Sequence, residues 1–204
     1  MIAAMRIAVV IAACSLLLTA CHSAPSASAS PAPSSSPFGS AAPAPNAVAE
    51  SSVKPGINRD FLDPQLDVQK FEQRFEVESR EIFSQRARIA ALVGAKPGQA
   101  IADIGAGTGL FTRMFAQAVG NKGRVYAVDI APKFVEHLQR DASRLGNRQV
   151  EPVLCTETSV ELPEASIDVA FVCDTYHHFE FPLKTMASLR QALKPNGRVI
   201  VIDF

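Results

Sequence analysis

An excess of charge of either sign is missing from this chain: 20 lysines and arginines stand against 20 aspartates and glutamates. That balance argues against a nucleic-acid binder held by bulk electrostatics. Charge of either sign is also missing over a long stretch, with no Asp, Glu, Lys or Arg between Arg6 and Glu50. Thirty-nine of the 40 charges therefore fall in residues 50–204, at the density of an ordinary folded domain. The charge-poor part is instead rich in proline, holding six of the 14, from Pro25 to Pro45. The chain divides into a leader over residues 1–20, a tether over 21–56, an N-terminal helical segment over 57–95 and one domain over 96–204.

The leader has a short basic start ending at Arg6, an apolar run over 7–18 and then Leu18-Thr19-Ala20-Cys21. The run is too short for a comfortable membrane span and reads as a secretory signal. Its ending resembles the bacterial lipobox, which implies lipidation of Cys21 as the first mature residue and loss of Cys14. An exported, membrane-anchored protein on the periplasmic side is expected, and His22 rather than Asp in second place favours the outer membrane. The Ser, Ala and Pro that follow include almost no large apolar residue except Phe38, too little to offset backbone entropy. The expectation is an extended spacer.

In the helical segment, Asp63-Pro64 reads as a helix start, a capping side chain before Pro at the first helical position. Phe71, Phe75, Ile82 and Ile89 recur at helical spacing and predict one or two amphipathic helices over 65–93. Beyond Lys96-Pro97-Gly98 the pattern alternates. Strands are predicted over 100–104, 124–130, 150–155, 167–174 and 198–204, with helices over 110–119, 132–145 and 182–193. Val- and Ile-rich strands alternating with helices predict an α/β, doubly wound, mostly parallel sheet. Ligands of such sheets bind at the carboxyl ends of the strands where the winding reverses.

The loop after the first strand lacks both common phosphate signatures. Asp103-Ile104-Gly105-Ala106-Gly107-Thr108-Gly109 has G-x-G-x-G spacing with Leu110 where a dinucleotide site has its third glycine, and no Gly-Lys-Ser/Thr follows. What remains is a backbone that turns tightly and approaches a ligand closely. The second strand ends at Asp129, which can accept two ribose hydroxyls or cap the helix beginning at Pro132.

These residues resemble the class I S-adenosylmethionine (SAM)-dependent methyltransferases over residues 71–204. The resemblance rests on DIGAGTG at 103–109, VDI at 128–130, DTYHHF at 174–179 and LKPNGRVIVIDF at 193–204. It implies a Rossmann-like sheet of order 3-2-1-4-5, with Gly105, Ala106, Gly107 and Gly109 packed on SAM. Asp129 would bind the ribose, Ile130 would lie on the adenine, and Asp103 would orient the loop or reach the amino group. The family often has an Asp after the third strand; here Glu157 is the residue offered as adenine partner, at longer spacing before Leu162-Pro163.

After the fourth strand, Asp174, Tyr176, His177 and His178 are expected beside the glycine loop and the transferred methyl group. Either histidine can act as a base where the acceptor carries a proton, and both can equally cap and order a loop. No further His or Cys has ligand spacing to join them, so no metal site is expected. Cys155 and Cys173 are placed on strands too far apart for a disulfide. The family usually continues past the fifth strand with a helix and an antiparallel pair, so residues 199–202 are expected as an exposed edge, missing one covering helix and open to self-association. The expected function is SAM-dependent methylation of a small or unknown acceptor. A non-catalytic lipoprotein module that kept the fold is the main alternative, since SAM is made in the cytoplasm, and a nicotinamide oxidoreductase is a remote one.

Overall fold

The computed structural model describes residues 50–203. The leader, Cys21 and the tether up to residue 49 lie outside the described residues. In chain order the elements are α1 (Val68–Phe75), α2 (Glu81–Ser84), α3 (Arg86–Val93), β1 (Ala100–Ile104), α4 (Leu110–Val119), β2 (Arg124–Asp129), α5 (Pro132–Leu145), β3 (Val150–Leu154), β4 (Ile167–Cys173), α6 (Pro182–Ala192) and β5 (Leu193–Ile202). The strands form one sheet, ordered β3-β2-β1-β4-β5 and parallel throughout. No helix among the described residues is long and apolar enough to cross a membrane.

The alternation of side chains along each strand feeds two cores. Ile101, Val125 and Phe171 meet Phe111 and Phe115 of α4, together with Ile89 and Val93 of α3. Ala102, Val128, Ala170 and Val172 meet Leu189 and Ala192 of α6 on the other face. Burial on both faces explains why the middles of β1, β2 and β4 are almost wholly apolar, with charged residues only toward the strand ends. The strand order reverses between β1 and β4, and that places the loops after β1 and β4 side by side.

Three expectations are corrected. Asp63 does not start a helix: its side chain accepts the Gln65 N–H and its carbonyl the Leu66 N–H, closing a turn. Asp67 is the cap of α1, accepting from Gln69 and Lys70. The segment then folds as three short helices rather than one or two, because the chain turns at 76–80 before α2.

The expected bare face of residues 199–202 is covered. Ile200 and Ile202 pack with Ile82, Ile89 and Val93 of α2 and α3, and Val199 packs in the α6 core. The helical segment supplies the cover that was expected to be missing. Strand β5 still bonds to β4 alone among the described residues, and its register jumps from Ile167↔Leu193 to Val169↔Arg198 across the Lys194–Gly197 excursion. The continuous ladder thus begins at Arg198, as the sequence predicts.

The third correction concerns the tether, expected to reach residue 56. By Glu50 the chain is already bound to the domain. The Glu50 carboxylate accepts the N–H groups of Leu183 and Lys184 at 2.7 and 2.8 Å, where α6 begins. Its charge there complements the helix dipole.

Phe171 stands at the junction of β4 and α4, fully buried and edge-on to Phe111 and Phe115 at 5.0 and 5.2 Å between ring centres. Phe171→Ala is expected to lower unfolding stability by about 3–5 kcal/mol, the range for deleting a buried aromatic ring. Urea denaturation followed by circular dichroism measures it, and a loss under about 1 kcal/mol would show this core collapses around the gap.

Candidate active site

The carboxyl ends of β1, β2, β3 and β4 open into a cavity of about 630 Å³, within the range of cofactor and small-ligand sites. Its floor is the glycine loop. The N–H groups of Gly105 and Ala106 both donate to the Val128 carbonyl, at 2.8 and 3.0 Å, folding the loop against β2. Gly105 has φ +71°, and a Cβ there would come within 2.3 Å of the Thr175 side chain, so the loops after β1 and β4 touch at this glycine. Gly107 differs: with φ +53°, a Cβ would meet only the Gly105 carbonyl, at 3.9 Å. Bare backbone therefore faces the cavity there.

Asp129 closes the loop from β2. Its Oδ2 accepts the Gly107 N–H and its Oδ1 the Ala131 N–H, both at 2.8 Å. Burial pushes its carboxyl up to about 6, opposed by these backbone donors. Each oxygen keeps a second acceptor site, so the side chain can hold the loop and still face a hydroxyl in the cavity that it lines.

Of the other residues expected around a cofactor, Ala106, Ile130, Glu157 and Asp174 line the cavity, and Asp103 and Gly109 do not. Asp103 lies beneath the loop, accepting the Thr112 hydroxyl at 2.6 Å and so clasping α4 to β1. A Cβ at Gly109 would meet Leu138 at 2.8 Å, so this glycine lets α5 pack closely against the start of α4.

The loop after β4 forms the far wall. Asp174, at φ +52°, is paired with Arg80 from the helical segment. His177 and His178 line the cavity, whereas Tyr176 is turned out against Phe179 and does not. His178 packs edge-on against Phe61 at 5.1 Å, and its Nδ1 has no hydrogen-bond partner among the described residues. Burial, then the neighbouring His177, lowers its pKa below the ordinary imidazole value. Cys155 and Cys173 are free. Burial pushes the Cys155 thiol up to about 12 and raises that of Cys173 as well, so neither is a ready nucleophile although both line the cavity.

The roof comes from residues that sequence reasoning did not place at the site, the spacing of Phe71 and Phe75 marking them only as helix-packing positions. Phe61, Phe71 and Phe75 form a run of rings that reaches Phe134 of α5. Asn58 donates to the His178 carbonyl at 3.1 Å, and buried Glu180 accepts from Ser52 and Gly56. Glu76 takes two hydrogen bonds from Arg113 and one from Thr108, fastening the helical segment to the glycine loop. Asp203, just past β5, contacts His177. Asp174, His177 and Asp203 bring ligand-type atoms within 4.8 Å of one another, a cluster built from carboxylates that a search for His and Cys spacing passes over.

Asp103 yields a prediction with a definite sign. Burial, with a smaller contribution from Asp129, pushes its carboxyl from the ordinary 3.8 to about 7, against the Thr112 hydrogen bond. Between those values the folded chain keeps a proton that the unfolded chain releases, so this group makes stability fall as pH rises from about 4 to about 7. Asp103→Asn keeps an acceptor for Thr112 and removes the charge. It is expected to flatten that slope and raise the melting temperature at pH 8 by several degrees. An unchanged slope in thermal melts across this range would contradict the assignment.

Known proteins match this geometry. Residues 102–201 match the model of a methyltransferase domain. A ubiquinone/menaquinone biosynthesis C-methyltransferase, UbiE, from Vibrio vulnificus is 32% identical over 114 residues, covering 54% of this chain and 43% of that protein. Its counterpart from Burkholderia multivorans is 30% identical over 119 residues, covering 58% and 49%. The chain thus spans about half the length of the curated relatives it matches. The crystal structure of a SAM-dependent methyltransferase from Aquifex aeolicus superposes with a TM-score of 0.61 at 28% identity, covering 69% of this chain and 74% of that one. The residues present fit the cofactor: bare backbone at Gly107 and a carboxylate at the end of β2 face one cavity. Residues 102–201 thus carry a methyltransferase domain, on the Rossmann-like fold of the SAM-dependent methyltransferase it resembles.

Proposed function

We propose that the chain transfers the methyl group of SAM to a small hydroxylated aromatic acceptor, on a domain held at a membrane surface by lipidated Cys21. The observation that carries this reading is the two-sided cavity. The glycine loop, Asp129 and Ile130 lie on one side, and His177, His178 and a roof of phenylalanine rings on the other. Bound SAM supplies an electrophilic methyl group. Gly105, Gly107 and Asp129 hold and orient it, the aromatic rings exclude water and offer a flat apolar surface to a planar ring, and His177 accepts a proton. The UbiE relatives are C-methyltransferases of ubiquinone and menaquinone biosynthesis, which supports an aromatic acceptor. The Leu18 to Cys21 ending and His22 support export and an outer-membrane anchor facing the periplasm.

Calorimetric titration of the full chain with SAM tests the cofactor. Gly107→Val puts a branched side chain at a left-handed position facing the cavity, and it is expected to weaken SAM binding at least about tenfold, or about 1.4 kcal/mol. Undiminished affinity would place the ligand elsewhere. The anchor is tested separately with an alkyne-tagged fatty acid fed to expressing bacteria. Cys21→Ala is expected to abolish labelling and to keep the chain from maturing normally. Equal labelling of parent and variant would overturn the anchor.

A further inference from the structure

Both carboxylate oxygens of Asp203 are committed to His177: Oδ2 accepts the backbone N–H at 3.0 Å and Oδ1 meets ring Nδ1 at 2.7 Å. An ionised carboxylate only accepts, so the hydrogen of that bond sits on Nδ1 and the lone pair of a neutral ring is on Nε2. The ring lines the cavity. The other acid of the cluster, Asp174, is already paired with Arg80, and its backbone N–H is bound to the Ile202 carbonyl at 2.8 Å. Asp203 is therefore the carboxylate that serves His177. The neighbouring His178 is occupied differently, its carbonyl held by Asn58 and its ring against Phe61.

We infer that Asp203 is a positioning residue for methyl transfer: it locks His177 as the Nδ1–H tautomer, leaving Nε2 as the base of the acceptor side. This rests on the methyl-transfer reading above and narrows the acceptor. Transfer from a sulfonium needs a base only where the acceptor must lose a proton to attack. A His–Asp pair on the cavity wall therefore fits a phenol or enol hydroxyl rather than a free amine or thioether. His177 Nε2 takes the hydroxyl proton, and the electron pair so released drives the acceptor oxygen, or its conjugated ring carbon, onto the methyl carbon. The methyl–sulfur bond breaks with its pair left on sulfur, and the products are the methylated acceptor, S-adenosylhomocysteine and one proton on His177. If carbon is the site, the substituted ring carbon afterwards gives its own proton to water and the carbonyl oxygen takes one back from water, restoring the hydroxyl, so the net release is still the one proton on His177.

The test is nitrogen NMR of the full chain labelled with 15N-histidine, with His177 assigned by the signal lost in His177→Gln. At a pH where the ring is neutral, the parent is expected to show the Nδ1–H tautomer. Asp203→Ala is expected to turn the majority to Nε2–H, the form free imidazole side chains prefer, and Asp203→Glu to restore Nδ1–H. SAM affinity by calorimetry is expected to stay within about twofold in the variants, which also reports that they fold. An unchanged tautomer in Asp203→Ala overturns the inference. So does loss of the parent's signal pattern on dialysis against EDTA, which would assign the Asp174, His177 and Asp203 cluster to a divalent cation. A tautomer that shifts as expected in a parent that binds no SAM would leave the pair intact as a clasp and overturn its role in methyl transfer together with the proposed function.

Discussion

The Asp129 carboxylate is the interaction on which the cofactor side depends. A loop with three left-handed glycines has little conformational preference of its own, and the same freedom that lets it approach a ligand would let it wander. Two backbone bonds to Val128 fix its first half, and Asp129 fixes its second through Gly107 while also holding Ala131 at the start of α5. Hydrogen bonds to a charged group are worth about 1.5–3 kcal/mol each, yet burial still wins enough to raise the carboxyl to about 6. The site is thus built around a costly buried charge that backbone donors keep mostly ionised at neutral pH, oriented before any ligand arrives.

The opposite wall is assembled by a different principle. The loop after β4 has its own turn bonds but leans on distant residues: Thr175 rests on Gly105, Asp174 pairs with Arg80, His178 meets Asn58 and Phe61, and His177 meets Asp203. The chain before α1 completes the enclosure, with Glu50, Ser52 and Gly56 gripping the Glu180 corner and the start of α6. The glycine-loop side is set mainly by residues near one another in the chain at the ends of β1 and β2, and the opposite wall is a long-range product of the whole domain. The segment that leads toward the N-terminus supplies part of the wall facing the glycine loop, through Ile57, Asn58 and Phe61.

That division explains what could be read from the sequence. The five strands and the helices α4, α5 and α6 were legible because apolar periodicity, proline and glycine punctuate them within a few residues. The same holds for the glycine loop and the Asp129 strand end. The helical segment was less so: Asp63 and Asp67 both look like caps, and only packing decides that Asp67 takes the role. That α2 and α3 cover β5 is a contact across more than a hundred residues with no local mark. Gly109 was expected against SAM; it does not line the cavity and instead makes room for Leu138, a contact that belongs to another helix. Tyr176 sits in the right loop but packs on Phe179 outside the cavity, since the single turn at 176–178 sends it to a different side from His177 and His178. The Glu76–Arg113 and His177–Asp203 pairs join residues 37 and 26 positions apart and leave no signal in spacing.

Amide hydrogen exchange of the full chain, with and without SAM, tests the central claim most directly, because it reads the strand-end loops one by one without requiring an acceptor. The account predicts slowed exchange on SAM addition at residues 105–109, 129–131 and 155–159, with the strand interiors unchanged. Slowing confined to other surfaces, or no change at saturating SAM, would contradict it.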